Sequence, residues 1–125
     1  MAPNLVGHVR KLFIYPVKSM RGISVSEISC YRYGANGDRK YAFTRAGNMS
    51  GFPWLTAREL PALLQHEPYF VDAASPIASA IRVKTPDNRD LSLEAPELAG
   101  ELAAQNEAAV SLLKLKCGTF DCMPL

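Results

Sequence analysis

The sequence predicts a mainly β domain. Its mostly antiparallel sheet is curved, bifurcated or barrel-like and is accompanied by two short helices. Two observations carry this reading. Short runs rich in β-branched and aromatic residues recur along the chain, each closed by a turn dense in Gly, Pro, Asn or Asp. Only two stretches open on a proline and continue at helical spacing, and both are short. The strands follow one another through short turns, so antiparallel pairing is expected.

The elements follow in order. His8 to Tyr15 is a strand rich in Val, Leu, Phe and Ile, and Pro16 closes it because proline has no N–H to give a ladder. Ser24 to Tyr33 is the second strand. Gly34-Ala35-Asn36-Gly37-Asp38 is dense in residues that accept positive φ, which predicts a turn or bulge. Arg39 to Arg45 is the third strand, turned by Ala46-Gly47-Asn48, and Trp54-Leu55-Thr56 forms a short fourth. Pro61 opens a short helix over Ala62-Leu63-Leu64-Gln65. Tyr69 to Ala73 is a strand. Ser79 to Thr85 alternates, with Ile81 and Val83 on one face and Arg82 and Lys84 on the other. Pro86-Asp87-Asn88 then turns the chain into Leu91-Ser92-Leu93, giving a hairpin. Pro96 starts the second helix, which runs to about Gln105 with Leu98 and Leu102 on one face. Ala109 to Leu115 is the last strand.

Composition narrows the class. A chain of 125 residues is one domain with room for a core. Its net charge of +2 is too small to argue for nucleic acid, and its cations form no basic stripe. No apolar run approaches the ~20 residues of a membrane helix, and the first residues lack a secretory profile. Cys30, Cys117 and Cys122 are odd in number, a poor disulfide framework that fits a reducing cytoplasm. Neither nucleic acid nor membrane is therefore an expected partner. Tyr31, Tyr33 and Tyr41 beside Arg32, Arg39 and Lys40 are the residues a stacking surface for single strands would use, but the near-neutral balance weighs against it.

Two short basic segments carry the functional signal. Tyr15-Pro16-Val17-Lys18-Ser19 ends an apolar run, and Asp38-Arg39-Lys40-Tyr41 follows the glycine-rich turn. A lysine at a strand end reaches a phosphate as a point charge, a serine adds a hydrogen bond, and an arginine binds phosphate in bidentate fashion. Read singly, Lys18 is a solvated lysine and Arg39 a surface partner of Asp38. Thr56-Ala57-Arg58-Glu59 precedes the first helix, where amides and a guanidinium meet an anion; its plain reading is a cap with a charge on a loop. His8 and His66 have no metal-ligand spacing, and the Cys117, Cys122 pair is short of the ligands zinc needs. No P-loop, dinucleotide fingerprint, nucleophile triad or carboxylate pair is present.

The order of these segments resembles a known family. Leu12-Phe13-Ile14-Tyr15-Pro16-Val17-Lys18-Ser19-Met20-Arg21-Gly22, then Val25-Ser26-Glu27, Tyr33-Gly34, Gly37-Asp38-Arg39-Lys40-Tyr41 and Thr56-Ala57-Arg58-Glu59-Leu60-Pro61, resembles the N-terminal β-barrel domain of MOSC proteins. These include the mitochondrial amidoxime reducing component and bacterial N-hydroxylated-base reductases. The resemblance implies a following MOSC domain of about 150 residues whose cysteine ligates molybdenum. It implies a molybdenum cofactor (molybdopterin) in the full-length protein and none bound to this chain alone. Lys18, Ser19 and Arg39, with Arg58, are the cofactor-binding residues it implies, and Arg21 adds a further cation. Redox partner proteins would deliver electrons for reduction of N-hydroxylated compounds. Residues 1–115 are then the barrel domain and residues 116–125 the start of a connection into the MOSC domain. Cys122 lies too early to be the metal ligand. The function expected is an accessory domain that contacts the cofactor phosphate or pterin and shapes the substrate cleft, without turnover alone. The alternative is a stand-alone β-barrel module for a phosphorylated ligand or a protein partner.

Overall fold

The computed structural model describes residues 3–32, 34–47 and 52–115. Among these residues nine strands form, in the order β1 (Leu12–Ile14), β2 (Ile23–Val25), β3 (Cys30–Tyr31), β4 (Gly34–Ala35), β5 (Tyr41–Arg45), β6 (Glu67–Phe70), β7 (Ile81–Lys84), β8 (Asp90–Ser92) and β9 (Val110–Lys114). One α-helix, α1 (Pro96–Asn106), lies between β8 and β9, and a 3₁₀ helix spans Pro61–Gln65. Every strand ladder among the described residues is antiparallel; β7 and β8 pair through a short turn as expected, whereas β5 pairs with β9 from the far end of the chain. The strands group as β1-β2, β3-β4, β5-β9 and β6-β7-β8. Among the described residues no ladder joins these four small sheets into a closed barrel.

Several elements are shorter than their sequence patterns. The first strand keeps only Leu12–Ile14, because its partner β2 is itself three residues long. The run from Ser24 divides into β2 and β3, and β3 turns away to pair with β4. Tyr33, Asn48, Cys117, Cys122 and the connection over 116–125 lie outside the described residues. Trp54 forms a single bridge to Thr44, and the Leu55 N–H donates to Phe43 O at 2.8 Å, so this segment lies along β5 without a full ladder. The first predicted helix is a 3₁₀ turn. Its bonds run from Leu63 N–H to Leu60 O and from His66 N–H to Leu63 O, and β6 begins at Glu67 before an α-helix has room to propagate. Helix α1 matches its sequence pattern: Pro96 occupies the first turn, Glu97 faces the positive helix end, and Leu98 and Leu102 are fully buried one turn apart.

The core gathers Val17, Met20, Phe43, Leu55, Leu63, Val83, Leu93, Leu98 and Leu102, all at most 2% exposed. Tyr41, Ala42 and Phe43 are buried on both faces of β5, which lies between β9 and the Trp54 segment. His66 is buried with its Nδ1 2.9 Å from Ala62 O.

Two structural predictions arise from these elements. Gly37 has φ +83°, and a Cβ there would stand 2.9 Å from Pro76 Cβ and 3.0 Å from Phe70 Cζ. Gly37→Ala is expected to cost ~1–3 kcal/mol, read as a lower denaturation midpoint; an unchanged midpoint would contradict it. The second concerns acid. Asp87 accepts from Arg89 Nε at 2.8 Å and from the Thr85 hydroxyl, which lower its carboxyl from 3.8 to about 2. Arg89, in turn, pairs with Glu101 of α1 at 2.6 Å, and the Arg89 hydrogen bond lowers that carboxyl too. A depressed carboxyl stabilises the fold above its unfolded value and loses that contribution as pH falls through its folded one. The melting temperature should therefore drop between pH 3.8 and about 2. Asp87→Asn should flatten that part of the profile, and a profile identical to the parent would refute the assignment.

Candidate functional site

Two loops build the site. The first leaves β1 at Tyr15-Pro16 and is locked to the start of β5. Arg39 N–H donates to Tyr15 O at 2.6 Å, Tyr41 N–H to Pro16 O at 3.2 Å, and Lys18 N–H to Tyr41 O at 2.9 Å. A parallel bridge joins Val17 to Tyr41, so burial of Val17 and Met20 anchors the loop while Lys18 and Ser19 between them stay partly exposed. Ser19 takes the left-handed conformation, φ 69°. Gly22 ends the loop beneath Tyr15, where a Cβ would stand 2.7 Å from the ring.

The second loop is Thr56 to Glu59. The Glu59 carboxylate accepts from the Thr56 N–H at 3.1 Å and from the Thr56 hydroxyl, which itself accepts from the Arg58 N–H at 3.3 Å. This resembles a capping box, and its Thr-x-x-Glu signature was legible in the sequence. The Thr56 hydrogen bonds, with Arg45 at 3.8 Å, hold the Glu59 carboxyl below the usual carboxylate range. Arg45 also donates to Phe52 O at 2.7 Å, tying two parts of the wall together from behind.

These loops enclose an open cleft of about 620 Å³ lined by Lys18, Ser19, Phe52, Thr56, Ala57, Arg58 and Glu59. Three of the four sequence-predicted residues therefore meet at one place. The Lys18 ammonium lies 5.8 Å above the Phe52 ring. Arg39 does not line this cleft. Its guanidinium lies 5.6 Å from the Tyr15 ring and 3.8 Å from Asp38, and its backbone is left-handed at φ 46°. Arg21 faces elsewhere as well, its side chain paired with Glu67. A second cleft, about 430 Å³, lies among Tyr31, Lys40, Phe70, Ile77 and Lys114 and takes in none of Lys18, Ser19, Arg39 and Arg58.

Four non-glycine residues among those described have positive φ. Asn88 and Glu107 serve a turn and the end of α1. The other two are Ser19 and Arg39, both singled out by sequence. Left-handed backbone of this kind costs about 1–3 kcal/mol for a non-glycine residue. The family model of the MOSC N-terminal beta barrel domain aligns with residues 6–123. The chain belongs to this family. Over 64 residues it is 44% identical to mitochondrial amidoxime-reducing component 1 of Mus musculus, covering 47% of the chain and 17% of that protein. Over 54 residues it is 43% identical to mitochondrial amidoxime reducing component 2 of Homo sapiens, covering 43% of the chain and 13% of that protein. These matches span less than a fifth of each relative. No solved structure matches the chain significantly. The MOSC N-terminal domain seen here has no helix, among the described residues, long and apolar enough to cross a membrane. Its described His, Cys, Asp and Glu residues form no group of three able to hold a metal ion.

The cleft's donors suit an anion. Lys18 and Arg58 are cations on opposite loops, Ser19 adds a hydroxyl, and the one carboxylate present is already engaged by Thr56 and Arg45. Sequence reasoning missed Phe52, Glu59 and Arg45. Glu59 had a readable signal in its capping spacing. Arg45 had none, because its role depends on where Phe52 and Glu59 end up.

Proposed function

We propose that this domain is the N-terminal accessory part of a molybdenum-cofactor oxidoreductase and that its cleft takes the cofactor's phosphate. The observation that carries this is the meeting of Lys18, Ser19 and Arg58, from loops far apart in sequence, on one open cleft. Their donors fit a phosphate-bearing group. Lys18 would hold a phosphate oxygen as a point charge, Arg58 would bind it in bidentate fashion, and Ser19 would add a hydrogen bond. Arg39 belongs to the same proposal from its place beside Tyr15, in the turn that leads into β5 and bonds to the start of the Lys18 loop. The cofactor itself would supply two-electron redox chemistry. This chain's residues would bind and orient it and form one side of the substrate cleft, with no turnover of their own.

The matched relatives are named for amidoxime reduction. We extend that activity to the whole protein: reduction of N-hydroxylated compounds, with a MOSC catalytic domain as the immediate partner and redox proteins supplying electrons. The test is to express the full-length protein and measure molybdenum and pterin content together with benzamidoxime reduction. Stoichiometric molybdenum and formation of benzamidine support the reading. A protein without molybdenum, whose cleft still binds inorganic phosphate, would instead support a stand-alone module for phosphorylated ligands.

A further inference from the structure

Asp38 has no place in the cleft, yet it holds the loop that forms it. Its Oδ1 accepts the Tyr15 N–H at 2.8 Å, across 23 residues of sequence. Its other oxygen faces Arg39 Nη1 at 3.8 Å, and the Arg39 guanidinium lies over the Tyr15 ring. Arg39 N–H also donates to Tyr15 O. Tyr15 is therefore gripped at its N–H, its carbonyl and its ring by two consecutive residues. Three residues further on stands Lys18, whose own N–H is bonded to Tyr41 O.

A loop holding one residue at φ 69° needs such constraints, because left-handed backbone is unfavourable for serine. We infer that Asp38 is a positioning residue that presets the Lys18-Ser19 loop for its anion, with Arg39 as the second half of the grip. This inference rests on the cleft reading above. It adds that the anion's affinity depends on a carboxylate which never touches the anion. A negative charge behind a phosphate site weakens it if it acts only through space, so a gain in binding on removing Asp38 is the signature of the opposite role.

The experiment uses this chain and two readouts. The first is hydrogen exchange at the Tyr15, Lys18 and Leu55 amides, Leu55 being a reporter bonded to Phe43 O on the other side of β5. Asp38→Ala is expected to speed exchange at Tyr15 and Lys18 about tenfold, with Leu55 unchanged. Asp38→Asn keeps an acceptor oxygen and should restore most of the Tyr15 protection. The second readout is binding of inorganic phosphate by chemical-shift titration, which Asp38→Ala should weaken roughly three- to tenfold. Unchanged exchange at Lys18, tighter phosphate binding, or equal acceleration at Lys18 and Leu55 would each overturn the inference. If the parent chain binds no phosphate, the cleft reading falls, and the positioning role is decided by exchange alone.

Discussion

Phe43→Ala is expected to destabilise the domain by ~3–5 kcal/mol, the usual cost of emptying a fully buried phenylalanine site. Phe43 is 1% exposed at the centre of β5, with its carbonyl bonded to Leu55 and its strand paired to β9. Val17, Leu55, Leu63 and Leu102 belong to the same core cluster and are themselves fully buried, so few of its neighbours can swing in from the surface to fill the gap. Total stability of a domain this size is about 5–15 kcal/mol, so the variant should be near the edge of folding at 37 °C. Phe43→Leu keeps most of the apolar volume and should cost about 1–2 kcal/mol. Urea unfolding of both variants checks this. A loss below about 1 kcal/mol for Phe43→Ala would mean that the core around β5 relaxes freely, contrary to its packing.

Lys18→Ala in the full-length protein is expected to reduce cofactor affinity without unfolding the domain. A charge-assisted bond to phosphate contributes about 1.5–3 kcal/mol, which corresponds to about 10- to 150-fold in affinity. Arg58→Ala should act in the same direction, since both side chains line the one cleft. Arg39→Ala should also lower occupancy, and by the inference above it should do so together with faster exchange at Tyr15. Lys84→Ala is the control: Lys84 lies over Tyr69 and takes no part in the cleft lining. Molybdenum content by plasma mass spectrometry, with thermal denaturation in parallel, separates lost affinity from lost fold. Unchanged molybdenum in both Lys18→Ala and Arg58→Ala would sink the assignment of this cleft to the cofactor.

Much of the local structure was legible in the sequence. Alternation over Ile81 to Lys84, the Pro86-Asp87-Asn88 turn and the Leu98, Leu102 spacing all reappear as β7, its turn into β8 and the buried face of α1. These depend on periodicity and turn chemistry, which act within a few residues. Strand lengths were not legible, because a strand ends where its partner ends. The apolar run from His8 has a partner only at Leu12–Ile14. The helical signal at Pro61 was likewise cut to a 3₁₀ turn by the strand that follows it.

The candidate site divides along the same line. Residue types in order were enough to single out Lys18, Ser19, Arg39 and Arg58 and to associate them with a family whose model covers residues 6–123. Only the tertiary structure decided their grouping. It brought Lys18, Ser19 and Arg58 onto one cleft, set Arg39 over Tyr15, and turned Arg21 toward Glu67. Charge and hydrogen-bonding capacity belong to the side chain and can be read one residue at a time. Which cations share an anion depends on long-range backbone bonds such as Lys18 to Tyr41 and Arg39 to Tyr15, and no local pattern encodes those distances.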